Sequence, residues 1–294
     1  YGDHRDLHLS LRRQRQMCIR DSPYTRGSEY SRTVYEIEDE VKSLVDLGVV
    51  EFTLLGQNVN AFHGSDASGH SHSLASLIDK VSQINGVERI TYSTSHPVNM
   101  TDDLIELHGT NHKLMPFLHL PVQSGSDKIL KLMNRKHTRD FYFDIIEKVR
   151  KAKPNIALSS DFIIGFPGET QKDFEDTLDL IRRIKYMNSY SFKYSPRPGT
   201  PAANKEEINK DILDERLAIT QELLDEQQME YNRNFITKTV KVLIDGAGKL
   251  EGQIKGKSEF NQSVALEGEE NHIGQIIPVQ IKDVKMHSLI GERA

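Results

Sequence analysis

Five short polar strings each follow an apolar run: Gln57-Asn58, Ser95-His96, Gln123-Ser124-Gly125-Ser126, Gly165-Phe166-Pro167-Gly168-Glu169 and Ser195-Pro196-Arg197. Their amides, hydroxyls and glycines can hold a polar ligand, but no Ser/His/Asp or Cys/His arrangement is visible from their order, and no catalytic residue is assigned. "IIGFPGET" could cradle a phosphate, yet it lacks the lysine of GxxxxGK[ST] and the spacing of GxGxxG. A strand-to-helix turn, with Glu169 or Thr170 near the helix start, explains it equally. "HLPVQSGSDKIL" reads in the same way as a loop followed by a helix capped by Ser126. His63, His70 and His72 have spacing that can bind metal. Their Ser/Gly/Asp-rich surroundings read rather as a solvated loop, and no metal ligand is assigned. His96 and His119 end strands, either lining a rim or serving as satisfied core groups. Cys18 is the only cysteine in the 294 residues, so an internal disulfide framework is excluded.

These strings need elements to position them. "EIEDEVKSLVDLG" puts Ile37, Val41, Leu44, Val45 and Leu47 on one helical face, and Gly48 stops it. Parallel strands are expected at about 49–56, 89–95, 117–121, 157–164 and 189–195, alternating with helices through "SLASLIDKVSQING", "TDDLIELHG", "TRDFYFDIIEKVRKAK" and "KDFEDTLDLIRRIKY". Thr101 is the expected N-cap of the second of these helices. Such alternation is the signature of an α/β fold, an open sheet or a barrel wrapped by helices. Right-handed crossovers bring every strand's C-terminal end, and so every polar string, to one rim. A long charged helix over 205–236 follows, with Ile208, Ile212, Leu217, Ile219 and Leu223-Leu224 as its apolar positions. From Thr239 the pattern changes to short Gly-punctuated β runs, a small all-β barrel.

The composition is that of an ordinary soluble protein, with 37% hydrophobic and 28% charged residues. No apolar run approaches the roughly 20 residues that span a bilayer, and the basic N-terminus lacks the apolar stretch of a secretory signal. The net charge of −5 does not advertise a polyanion partner, so nucleic-acid binding would have to come from local patches.

Six strings occur in this order: "PYTRGSEYSR", "LLGQNVNAFHG", "TSHPVNMTDDLIE", "FLHLPVQSGSDKILKLMNRKHT", "SSDFIIGFPGET" and "YSFKYSPRPGTPAA". Together they closely resemble the radical S-adenosylmethionine methylthiotransferases. "LLGQNVNAFHG" resembles the branch acting on tRNA, at the isopentenylated adenosine beside the anticodon. The terminal module, ending "HSLIGERA", is similar to the RNA-binding TRAM domain of that family.

The resemblance implies a partial (β/α)6 barrel over residues 23–236, followed by a TRAM-like barrel over 237–294. It implies S-adenosyl-L-methionine (SAM) and a 4Fe-4S cluster as cofactors, and tRNA as partner. The cofactor carries the radical chemistry, while the protein positions and shields it. By the same resemblance Gln57, Asn58, Gln123, Ser124, Asp161, Gly165, Phe166, Gly168 and Glu169 would contact SAM. Lys241, Lys255, Lys257 and Arg197 would contact RNA. A cytoplasmic monomer is expected.

One part of the family pattern is missing. The family carries CxxxCxxC directly before "PYTRG". Counting back from Pro23, its cysteines would stand at positions occupied by Arg13, Met17 and Arg20, and Cys18 is out of register. Three thiolates hold such a cluster and leave one iron open, and arginine cannot replace a thiolate. Residues 1–22 therefore read as a leader foreign to the rest, joined to a truncated copy, and the chain is expected to be inactive as it stands. The alternative is a non-catalytic RNA- or SAM-binding protein that has lost its cluster.

Overall fold

The computed structural model describes residues 30–196 and 201–294, and its architecture belongs to one compact unit, Thr33–Ala294. The expectations for the leader, for Cys18, for positions 13, 17 and 20, and for Arg197 lie outside the described residues.

Helix α1 (Val34–Asp46) opens on a capping box, Thr33 with Glu36, and buries Val34 and Val41. Leu47 does not share its apolar face; it is the C-cap and stands 80% exposed. Strand β1 (Glu51–Leu55), α2 (Leu74–Ser82), β2 (Arg89–Ser93), α3 (Asp102–Thr110) and β3 (Phe117–His119) follow. The second half adds α4 (Asp127–Leu132), α5 (Arg139–Ala152), β4 (Ala157–Ile164), α6 (Gln171–Ile184) and β5 (Asn188–Lys193). Thr101 does sit at the N-cap of α3, but its side chain accepts no backbone hydrogen bond there.

All five strands are parallel. β1 pairs β2, and β4 pairs both β3 and β5. The two groups meet at one parallel bridge between Ile90 and Leu114, where Met115 N–H donates to the Ile90 carbonyl at 2.8 Å. Side chains alternate across the strands. Phe52, Ile90, Tyr92, Leu118, Leu158, Phe162 and Ile164 pack with the helices into one core. The register places Thr53, Thr91, Ser93, His119, Ser159, Asp161, Ile163, Tyr190 and Phe192 on the opposite, concave face.

The long helix α7 (Lys210–Arg233) packs against β5, and leads into a closed five-stranded barrel in the order β10-β8-β7-β6-β9. Its strands are β6 (Thr239–Ala247), β7 (Gln253–Ser258), β8 (Ser263–Glu267), β9 (Ile276–Lys285) and β10 (Ser288–Arg293). Val240, Val242, Ile244, Ile254, Val264, Leu266, Val279, Ile281 and Leu289 fill it. Phe117, Ala157 and Met187, at the N-terminal ends of β3 and β4 and just before β5, pack with this same cluster. Arg89, 5% exposed at the start of β2, donates to the carbonyls of Lys241 at 2.7 Å and Lys257 at 3.1 Å. The small barrel thus closes the floor of the concave face, while the opposite end of the strands carries the polar strings.

Candidate active site

The first rim loop follows β1. Gln57 is exposed. Asn58 donates from Nδ2 to Asn99 Oδ1 at 2.9 Å, while its own Oδ1 is buried with no partner among the described residues. The second loop, after β2, turns on Thr94, whose φ of 67° is a costly conformation for a β-branched residue. Asn60 fastens the two loops together: its Oδ1 accepts from His96 N–H and its Nδ2 donates to the His96 carbonyl, both at 2.9 Å. Ser95 Oγ is buried and unpartnered among the described residues.

The third loop begins at Gln123, again left-handed at φ 75°. Its backbone is locked to β4, with N–H donating to the Asp161 carbonyl at 3.0 Å and its carbonyl accepting from Ile163 at 2.9 Å. Its side-chain Oε1 is buried and unpartnered among the described residues. Backbone strain beside an unsatisfied acceptor is typical of a ligand clamp. Gly125 lets the loop touch α6, since a Cβ there would stand 2.6 Å from Thr177 Cα. Gly125 N–H donates to Thr177 Oγ1 at 2.9 Å, and Ser124 Oγ lies 3.3 Å from the same oxygen. Ser126 caps α4 and donates to Asp173 Oδ1 at 2.7 Å.

The fourth loop, after β4, is held from two sides. Gly165 takes φ 77°, and its N–H donates to Glu169 Oε1 at 3.2 Å. Arg216 of α7 donates to the same Oε1 at 2.8 Å, with side chains 8% and 1% exposed. Burial pushes the Glu169 carboxyl up, against the pull of Arg216. Asp173 goes the other way: burial raises it, but hydrogen bonds from Lys128, Thr170 and Ser126 outweigh that and hold it well below the usual carboxylate range. Lys128 also donates to the Gly168 carbonyl at 2.8 Å, tying α4 to this loop. Phe166 packs edge-on against Tyr194, with centroids 5.0 Å apart.

The structure therefore sorts the residues expected at the site. Asn58 and Gln123 each hold a buried acceptor with no partner among the described residues, and Gln57 is exposed beside them. Ser124 and Glu169 are tied up inside their loops. Asp161, 3% exposed, lies on the concave wall with His119 Nε2 at 3.6 Å and is not on a rim loop. Sequence reasoning missed the second tier: Asn60, Asp173, Thr177, Arg216 and His137. The capping-box spacing of Thr170 and Asp173 was the one signal available for any of them. His137 is 5% exposed and edge-on to His96 at 5.7 Å. Burial, with the nearby His96 and Arg135, lowers its pKa to about 4, so it is neutral at physiological pH. His63, His70 and His72 form no metal cage. Asp66 organises that loop, accepting from Ser68 N–H, His70 N–H and His72 Nε2, and no group of three or more ligating side chains occurs among the described residues. Lys241, Lys255 and Lys257 point outward on the adjacent strands β6 and β7, and none makes an ion pair among the described residues, whereas Lys282 pairs with Glu292.

The rim loops carry polar groups of the type that meets the amino-acid end of SAM: Gln57 is exposed, while the acceptors of Asn58, Ser95 and Gln123 are buried and unpartnered among the described residues. The 4Fe-4S cluster does not fit this chain, which holds one thiol where three are needed.

Parallel strands, a polar C-terminal rim and a following five-stranded barrel define the class. The chain belongs to the Radical SAM superfamily, whose family model matches residues 16–181, and the TRAM domain model matches residues 233–293. The first match begins upstream of Pro23, within the segment read as foreign. The particular relatives are tRNA-2-methylthio-N(6)-dimethylallyladenosine synthases. Those of Rickettsia felis and Rickettsia canadensis are each 54% identical over 272 residues, covering 92% of this chain and 61% of the relative. The chain thus spans about three-fifths of the length of these curated relatives. Among solved structures, coproporphyrinogen III oxidase from Escherichia coli aligns at a TM-score of 0.48 and 13% identity, covering 77% of this chain and 59% of that one.

Proposed function

We propose that the protein represented by this chain is a tRNA methylthiotransferase, placing a methylthio group on N6-isopentenyladenosine beside the anticodon. The observation that carries this reading is the 54% identity, over 272 residues, to synthases of that name. It favours this reading over a non-catalytic binding protein. We take residues 23–236 as the SAM-binding core and 237–294 as the RNA-binding barrel, acting as a monomer in the cytoplasm. Among the described residues no helix is long and apolar enough to cross a membrane.

When bound, SAM supplies a radical that abstracts hydrogen and a methyl group for transfer. This chain's residues hold and shield it. Gln57, Asn58 and Gln123 would take the amino-acid end, and Gly165, Phe166 and Gly168 the flat base. Ser124 and Glu169 act on the ligand through the loops they brace, and Asp161 through the wall beneath. No step is derived through the cluster, whose thiolates this chain lacks. Lys241, Lys255 and Lys257, with Arg197, would neutralise tRNA phosphates, which a protein of negative net charge can still do locally.

Two measurements test the reading. tRNA affinity should fall with rising salt, and the Lys241→Ala, Lys255→Ala, Lys257→Ala triple variant should lower the log–log slope by about three. After anaerobic reconstitution the chain should show no stable cluster absorbance, whereas Arg13→Cys, Met17→Cys, Arg20→Cys should restore some. Salt-independent tRNA binding overturns the RNA reading, and a redox-active cluster in the unmodified chain overturns the expectation that it cannot hold one.

A further inference from the structure

Two aromatic side chains on β5 have no role in the reading above. Tyr190 is 52% exposed and Phe192 38%, although β5 belongs to a sheet whose other face is core. The register pairs Tyr190 with Asp161 and Phe192 with Ile163, which fixes both on the concave wall. Lys193, of opposite parity, turns outward to Asp214 of α7. Neither ring stacks on another aromatic group among the described residues. The nearest polar contact is weak, Asn188 Nδ2 to the Tyr190 hydroxyl at 3.5 Å.

We infer that Tyr190 and Phe192 form a stacking platform for one unstacked nucleobase of the RNA substrate. Rings on residues two apart along a strand stand about 6.6 Å from each other, roughly twice the thickness of a flat ring. On the adjoining strand β4 their register partners are Asp161 and Ile163; His119 of β3 reaches Ser159 Oγ at 3.0 Å through Nδ1 and Asp161 at 3.6 Å through Nε2, and Thr53, Thr91 and Ser93 lie farther round the same face on β1 and β2. Two exposed rings on one face beside hydrogen-bonding groups match a base better than a lipid chain or an apolar peptide. Charge complementarity points the same way. The strands bearing Lys241 and Lys257 are fastened by Arg89 to the floor of this wall. A base must leave its stack to enter such a wall.

This inference rests on the tRNA reading, and the experiment separates the two. The full chain is titrated into an anticodon stem–loop carrying 2-aminopurine beside the anticodon, with anisotropy reporting affinity and emission reporting stacking. Expected are quenching on binding, and loss of quenching with roughly tenfold weaker affinity in Tyr190→Ala/Phe192→Ala. Tyr190→Phe and Phe192→Tyr should retain both signals. No binding by the unmodified chain overturns the tRNA reading and this inference with it. Binding with unchanged quenching in the double alanine variant overturns the platform alone. Excess SAM that abolishes quenching without weakening binding assigns the rings to the cofactor's adenine, and also overturns it.

Discussion

Replacing Arg216 with methionine tests whether the rim is held from behind. The guanidinium is buried between α7 and the fourth loop, donating to Glu169 Oε1 at 2.8 Å and to Gln171 Oε1 at 3.3 Å, and it lies over the Phe174 ring at 5.3 Å. Methionine keeps much of the aliphatic volume and removes the charge. Glu169 is then left buried with only the Gly165 N–H, and breaking a buried pair from one side costs about 3–5 kcal/mol. Arg216→Met/Glu169→Gln removes the orphaned charge as well and should cost about 1–2 kcal/mol, a large coupling for residues in contact. pH sharpens the test. Glu169's folded pKa is raised, so its contribution is fully present below the ordinary glutamate value and is lost as pH rises through the raised one. Without Arg216 the rise is larger, so the single variant's deficit should be smaller at about pH 5 than at about pH 8. Urea unfolding followed by circular dichroism at both pH values gives the comparison. A deficit below about 1 kcal/mol, or one independent of pH, would refute the idea that this pair braces the loop.

Three further outcomes follow from single positions. Thr237, exposed and at φ 70° between α7 and β6, should gain about 1 kcal/mol on replacement by glycine, read as a higher urea midpoint. Arg89→Met should cost about 3 kcal/mol and make the barrel's junction with the sheet sensitive to limited proteolysis, because it removes two hydrogen bonds to barrel carbonyls and strands Glu51. Gly125→Ala should cost about 1–3 kcal/mol, since the methyl would overlap Thr177 Cα and the Asp176 carbonyl; a neutral result by thermal melt would mean that the loop can lift from α6.

How far the fold was legible depends on what kind of signal each element carries. The five strands and their parallel order were visible because apolar runs alternate with amphipathic helices, and burial dictates both patterns. The long helix was misjudged in detail. It runs Lys210–Arg233, and Ile212 and Ile219 stand 44% and 38% exposed. Arg216, Thr220 and Gln227 are buried in their place. Apolar periodicity cannot foresee this, because each buried polar group depends on a distant partner: Arg216 on Glu169, and Gln227 on Tyr186 N–H and the Ile181 carbonyl. The rim was legible as polar strand exits. Its division into unpartnered acceptors and internal braces was not, since Gln123 and Ser124 are neighbours of similar chemistry and only the fold separates an Oε1 left without a partner among the described residues from an Oγ beside Thr177.

That division has a mechanical consequence. Four of the rim loops are braced: the third is tied to α6 through Thr177 and Asp173, the fourth to α7 through Arg216, and the first two to each other through Asn60. The unpartnered acceptors of Asn58 and Gln123 therefore sit on backbone with little freedom to move, and ordering that would otherwise accompany binding is already built in. The floor is fixed in the same manner. Arg89 reaches from β2 to the backbone carbonyls of Lys241 and Lys257, so the carbonyls bonded to the sheet belong to the same two residues whose ammonium groups face outward. Any load on those lysines reaches the sheet through the buried Arg89 guanidinium and through the packing of Phe117, Ala157 and Met187 on the barrel core. Between the braced rim above and the coupled barrel below, Tyr190 and Phe192 stand as exposed rings on the concave wall. A substrate that docks by charge on the barrel would meet that wall in one fixed register.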